Sequence, residues 1–511
     1  MKSYLIEKLR TGIPVLAACL TFSGFQVVGA EKLDDNSIAF AIEDEYMFDE
    51  TVPLSDVDMR VKDGIVYLDG IVPNLLARNR AIRIAETVKG VRSVINNLEV
   101  QRVDGLSANE LRRDVEIAFS LDPVVERYEI TVETEDMGLV SLKGYVDSWQ
   151  EKEFATAVAS SVRGVTAVTN NIEVVPHPTR PDDEIAVEVR KRLEWDALVD
   201  HSLIGVDVDR GTVKLSGVVG SLAEKSQARM DAWITGTRNV DAADLEVQSW
   251  ARDEDLRGDK YVHRTDDEIN QAILDAYSFD PRVFSYDVTP YVTDGWVTLR
   301  GKVDNLRAKA AAVNIANHTV GVTGVTDRIK IRLDTPTADE ALENSIKTKL
   351  DHDPLLFTND VHFSVTDGVA RLSGVVDSQF DKARTEVIIN GIAGIKSVKN
   401  FLRVADTESV VVYDPYIWDH NLFPWNDFPV NHSYEADIYG SNITDKQIAK
   451  DIAEKLYWSP FVDHEEITVL VEDGVATLVG EVQSKKEKRM AAEKAILAGA
   501  KEVQNNLIIE S

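Results

Sequence analysis

The sequence predicts an α+β chain of six tandem α-β-β-α-β units, each a three-stranded mixed sheet with two helices on one face. Three observations predict it. First, the string Gly-x-Val/Ala-x-Leu-x-Gly occurs six times, at Gly64–Gly70, Gly138–Gly144, Gly211–Gly217, Gly295–Gly301, Gly368–Gly374 and Gly474–Gly480. Second, each copy is followed by a stretch of helical periodicity closed by a glycine: Gly90, Gly164, Gly236, Gly321, Gly394 and Gly499. Third, a pattern Val-x-Asn-x-Leu/Ile-x-Val/Ile then recurs, as in Val94-Asn96-Leu98-Val100 and Val503-Asn505-Leu507-Ile509. The motif starts lie 74, 73, 84, 73 and 106 residues apart, so a segment is added before the sixth copy.

Each unit opens on a helix with cap chemistry. Ser107-Ala-Asn-Glu110, Thr265-Asp-Asp-Glu268 and Thr337-Ala-Asp-Glu340 are capping boxes, and Thr444-Asp-Lys-Gln447 fits the same form. Asp-Pro ends this helix at Asp122, Asp280 and Asp353, because the residue before Pro resists the α region. A hairpin follows. Asp precedes the first glycine of the motif at Asp63, Asp294, Asp367 and Asp473, and Asp-Gly between alternating apolar runs marks a tight turn of positive φ. Val66 and Leu68 then share a dry face with Gly70, where the absent side chain would let a helix approach, while Ile65, Tyr67 and Asp69 point the other way. The opposite face is mostly polar elsewhere, as at Thr212, Lys214 and Ser216.

The second helix buries Ala77, Ala81, Ile84, Ala85 and Val88 in copy one, and Phe154, Val158 and Val162 in copy two. The helical crossover makes the last strand parallel to a hairpin strand. Its recurrent Asn reads as a structural hydrogen bond at the sheet edge.

Composition narrows the function. The chain has 511 residues, 44% apolar and 28% charged, with 87 Asp+Glu against 56 Lys+Arg, a net charge of −31. That acidity argues against nucleic acid as a partner, since there is no excess of cations to displace phosphate counterions. The N-terminus reads as a signal peptide over residues 1–30. Lys2, Lys8 and Arg10 precede an uncharged apolar stretch, and Val28-Gly29-Ala30 offers a cleavage site. Cleavage there leaves 481 residues at net −33, with no cysteine and no membrane-spanning segment. A competing reading lipidates Cys19 within Leu16-Ala17-Ala18-Cys19, which would give a membrane-anchored lipoprotein.

The six units, at 36–100, 107–175, 181–248, 265–333, 337–404 and 444–511, resemble the BON domain, named for bacterial OsmY and nodulation proteins. The resemblance rests on the hairpin motif, the second helix with its closing glycine, and the last strand. It implies an exported, envelope-associated, non-enzymatic module connected with osmotic protection and phospholipid attachment, in the periplasm. The family has no catalytic motif to carry over, and positions such as Gly64 and Leu68 are fold positions.

Catalytic chemistry is scarce, and neither a catalytic residue, a metal site nor a cofactor is assigned. His464-Glu465 begins like HExxH, but position 468 is Thr. His352 and His362 lie ten apart across a predicted loop and read as solvated residues. Asp207-Val-Asp209 reads as a turn.

Binding signals are clearer. The second helices of the terminal copies are basic, with Arg78, Arg80 and Arg83 in copy one and Lys485, Lys486, Lys488 and Arg489 in copy six. They read either as docking points for anionic phospholipid or as faces that meet an acidic first helix such as Glu43-Asp44-Glu45. The segment 405–443 holds eight aromatic residues, Trp418 and Trp425 among them, and reads as a partner-binding strip or a structural strap. The expected function is an envelope scaffold contacting anionic phospholipid or envelope proteins. The alternative is a periplasmic chaperone-like or spacer protein without lipid contact.

Overall fold

Backbone hydrogen bonding in the computed structural model closes six sheets, one per copy and each with two helices; five have three strands and that of copy three has four. The structure describes residues 33–509 except residues 48, 50, 126–128, 176–179, 253–263, 284–286, 334, 357–360, 378, 406–443 and 460. Copy four shows the shared plan. A first helix (Asp266–Phe279) leads into antiparallel strands Val288–Thr293 and Trp296–Val303, a second helix (Leu306–His318), and a last strand (Gly324–Ile331) parallel to the middle one. The parallel pairing follows from the helical crossover. In copy three the last strand is split into Asn239–Asp241 and Leu245–Val247, both paired with Thr212–Val219.

The hairpin turns have the expected form. Asp63 and Gly64 adopt φ of 52° and 73°, and the other Asp-Gly turns repeat this. A second device holds them. The first residue of the first helix is Asp in five copies, and its carboxylate accepts both backbone N–H groups of the turn. Asp35 accepts from Asp63 and Gly64 at 2.8 and 2.9 Å, and Asp445 does the same for Asp473 and Gly474 at 2.9 Å each. The same carboxylate sits at a helix N-terminus, where the backbone dipole favours it.

This clamp decides one helix boundary. Ser107 and Thr265 form the expected capping boxes, and Thr444 accepts from the Gln447 N–H. Thr337 does not cap its helix, contrary to the sequence reading. The carboxylate of Asp339 is committed to the turn at Asp367 and Gly368, which fixes Asp339 as the first helical residue and leaves Ala338 at the cap position.

The second motif glycine also has a different reason from the one expected. A Cβ at Gly480 would lie 1.9 Å from the Glu466 carbonyl oxygen, and one at Gly70 would lie 2.1 Å from that of Asp56. The close neighbour is the chain entering the first strand, not a helix. The recurrent Asn ties the last strand to the second helix. Asn505 donates to the Lys488 carbonyl at 2.6 Å, and its own side-chain oxygen accepts from the Leu507 N–H.

Helix ends join the copies in pairs. Copies one and six share one apolar core containing Ile42, Ile84, Ile452 and Leu478. The Lys89 N–H donates to the Trp458 carbonyl at 3.1 Å. Copies two and five meet where the Arg163 N–H donates to the His352 carbonyl at 3.0 Å. Copies three and four exchange Ala197 N–H to His318 O and Val320 N–H to Trp195 O, at 3.1 Å each. Further contacts link the pairs: Trp149 stacks on Trp233 at 4.6 Å between copies two and three, and Arg307 of copy four reaches Asp122 of copy two at 2.7 Å.

Candidate functional site

Most of the second-helix cations find their partners inside their own copy. None of the seven basic residues singled out from the sequence is in the exposed class. Arg80 is 5% exposed and pairs with Asp49, which follows the first helix of its own copy, at 2.6 Å. The same two positions, 31 residues apart, hold Arg384 and Asp353 at 2.8 Å in copy five. In copy three they hold Gln227 and Asp196 at 2.9 Å. Arg80 is thus a structural ion pair, because its partner lies on the helix end packed beside it.

Lys486 is 1% exposed, on the helix of copy six (Lys485–Leu497) that packs against Leu306–His318 of copy four. Arg83 pairs with Glu86 at 2.9 Å and Arg489 with Glu493 at 3.3 Å, each within its own helix. Lys488 donates to the Leu507 carbonyl at 2.6 Å. Arg78 is half-buried. Lys485 reaches copy four, with its ammonium 5.9 Å from the centre of the Trp296 ring. Burial and the neighbouring Lys488 push its ammonium below the usual lysine range.

The acidic first helix of copy one receives cations from copy six. Lys455 lies 3.2 Å from Asp44 and 3.3 Å from Glu45, and Lys494 lies 3.6 Å from Glu45. Burial opposes ionisation of Glu45, yet Lys494 and Lys455 outweigh it and hold this carboxyl at about 2.

Exposed cations gather elsewhere, on the outward sheet faces of copies four and five. In copy four the outward positions carry Arg300, Lys302, Arg328 and Lys330, with Arg332 just beyond the last strand, and all five are exposed. Tyr291 and Trp296 stand on the same face, 53% and 51% exposed, and Arg300 lies 5.4 Å from the Tyr291 ring centre. In copy five the outward positions carry Arg371, Lys399 and Arg403 around Phe401. No Asp or Glu occupies an outward position of these six strands. The other four faces do carry carboxylates, such as Asp58, Asp69 and Glu99 in copy one and Glu472, Glu481 and Glu502 in copy six. Two adjacent copies thus present cations and aromatic rings on a strongly acidic chain. Their signal is the period-2 alternation of the strands, which places every second residue on one face.

His352 turns Nδ1 to the Thr348 carbonyl at 2.7 Å and Nε2 to Asp114 at 3.3 Å, while His362 is exposed on the sheet of copy five. The structure does not bring the two together. Cys19, the signal segment, and the insert with Trp418 and Trp425 lie outside the described residues. Among the described residues no helix is long and apolar enough to cross a membrane.

Six repeats of hairpin, turn and second helix, five of the turns clamped by the Asp that opens the first helix, define a tandem-repeat α+β protein. The BON domain model matches residues 34–102, 107–176, 181–249, 265–332, 338–406 and 444–511, and the chain belongs to the BON domain family. It is 33% identical over 144 residues to osmotically-inducible protein Y of Escherichia coli (strain K12), across 27% of this chain and 72% of that one. Two solved structures of CdsD, a structural protein of the type III secretion system of Chlamydia trachomatis, also align. The C-terminal domain matches at 15% identity and a TM-score of 0.12, over 44% of this chain and all of that one. The second matches at 16% and 0.11, over 43% and 91%.

Proposed function

We propose that this protein is a non-enzymatic scaffold of the cell envelope that associates with anionic phospholipid and protects or organises the envelope under osmotic stress. The observation that carries the reading is the pair of outward sheet faces in copies four and five, with exposed cations and aromatic rings and no outward carboxylate. A cation close to an anionic leaflet contributes about 1 kcal/mol, so several together outweigh a weak aromatic contact. Tyr and Trp suit the headgroup layer because each is apolar at one end and polar at the other. Repulsion between lipid and the rest of the acidic chain is screened beyond about 8 Å at physiological salt, while the contact face is not. The similarity to osmotically-inducible protein Y supports the osmotic setting. The signal-like segment 1–30 supports export to the periplasm, with tethering through Cys19 as the alternative.

Vesicle co-sedimentation tests the proposal. The mature chain should bind vesicles containing phosphatidylglycerol, should bind phosphatidylcholine vesicles weakly, and should release the former at high salt. Reversing Arg300, Lys302, Arg328 and Lys330 to Glu should lower the bound fraction at least tenfold. Reversing Lys488 and Arg489 should change it little. Equal binding by the four-site variant would move the contact elsewhere. No binding by the wild-type chain would leave the chaperone-like or spacer reading.

A further inference from the structure

Where copies two, four and five meet, the structure forms a partly open cavity of about 120 Å³. One wall is apolar and comes from two copies: Ile117, Leu121, Val158 and Val162 from copy two, Val387 and Ile388 from copy five. The rest is charged. Asp122 is 2% exposed and pairs with Arg307 at 2.7 Å. Asp353 pairs with Arg384 at 2.8 Å, and Asp114 faces His352 at 3.3 Å. Each of these carboxylates has its own cationic or imidazole partner.

Lys349 completes the lining, on the first helix of copy five (Asp339–His352). Among the described residues its ammonium makes no hydrogen bond and no ion pair within 4 Å. It is the remaining cation of the cavity, set beside an apolar wall. A volume of about 120 Å³ is several times the 10–15 Å³ that one water needs, so a ligand of several heavy atoms fits.

We propose that this cavity binds a small monoanionic amphiphile, a short-chain carboxylate, with its carboxylate on the Lys349 ammonium and its hydrocarbon against the apolar wall. The Lys349 ammonium, which makes no hydrogen bond or ion pair of its own, favours a single anionic group, and the flanking wall selects an alkyl chain over a bare inorganic anion. Burial lowers Lys349 to about 8, with Asp122 pulling up and Arg307 pushing down, and a carboxylate bound at its ammonium would favour the charged form.

Calorimetric titration of the mature chain with hexanoate, hexan-1-ol and inorganic phosphate tests this. Hexanoate should bind measurably at pH 7, with hexan-1-ol and phosphate each at least tenfold weaker. Lys349→Met should weaken hexanoate at least tenfold and leave hexan-1-ol unchanged, and Lys349→Arg should restore most of the loss. Circular dichroism confirms that both variants are folded. No heat from hexanoate, equal affinity for hexanoate and hexan-1-ol, or hexanoate affinity unchanged in Lys349→Met would each overturn the proposal.

Discussion

The guanidinium of Arg307, at the start of copy four's second helix, lies 2.7 Å from the buried carboxylate of Asp122, 185 residues earlier in copy two. Neither partner touches its counterpart through sequence neighbours, so the pair reports directly on how two copies dock. Removing one side leaves a buried charge without its counter-ion, which costs about 3–5 kcal/mol. Asp122→Ala should therefore lower the urea midpoint markedly. The double variant Asp122→Leu with Arg307→Met should recover much of that loss, because both desolvation penalties vanish together. A double variant no better than the single one would deny the coupling.

The Asp clamp on the hairpin turn makes a second prediction. Asp266 accepts the N–H groups of Asp294 and Gly295 at 2.9 Å each. Asp266→Ala removes two charge-assisted hydrogen bonds at a partly solvated site and should cost about 1–2 kcal/mol. Hydrogen exchange should quicken at Asp294 and Gly295 before it quickens in the core strands.

Much of this was legible in the sequence, and the limit has a physical form. Glycine spacing, Asp-Gly turns and capping boxes act within a few residues, so the chain displays them directly. The boundary at Asp339 was missed because a contact 28 residues away, to Asp367, sets it. The partner of Arg80 was hidden for the same reason: Asp49 stands beside it only once the first helix packs on the second. The basic sheet faces were written in the alternation Trp296-Thr298-Arg300-Lys302, but their isolation from carboxylates depends on three strands lying side by side.

Acid should act on the junction of copies three, four and six through His318. It is 2% exposed, and burial together with Lys486 and Arg489 holds its imidazole well below the usual range, with Asp196 acting in the opposite sense. The unfolded chain takes up a proton near pH 6.5 that the folded chain refuses. Stability from this group is complete above that pH and falls below it, by up to about 1.4 kcal/mol per pH unit. Urea midpoints of wild type and His318→Gln between pH 7 and 5 should converge as the wild type loses stability. Parallel curves would contradict this.

Glu45 works lower on the pH scale. Its carboxyl moves from 4.5 in the unfolded chain to about 2 in the folded one. A depressed carboxyl stabilises above the unfolded value, and that contribution fades as pH falls from 4.5 toward 2. Glu45→Gln should flatten the acid limb of the thermal melting curve in that window and leave the pH 7 to 5 limb, set by His318, unchanged.

Copy one shares its core with copy six, and Lys455 finds its partner Asp44 across 411 residues of chain. Solenoids stack each repeat on its neighbours and can begin anywhere and grow outward. Here copy one is completed by copy six. Its apolar helix face is completed only once copy six has been made, and the closure entropy of that long loop is met before any reward arrives. Copies one and six are thus coupled across the chain, and loss of either would expose the apolar core they share.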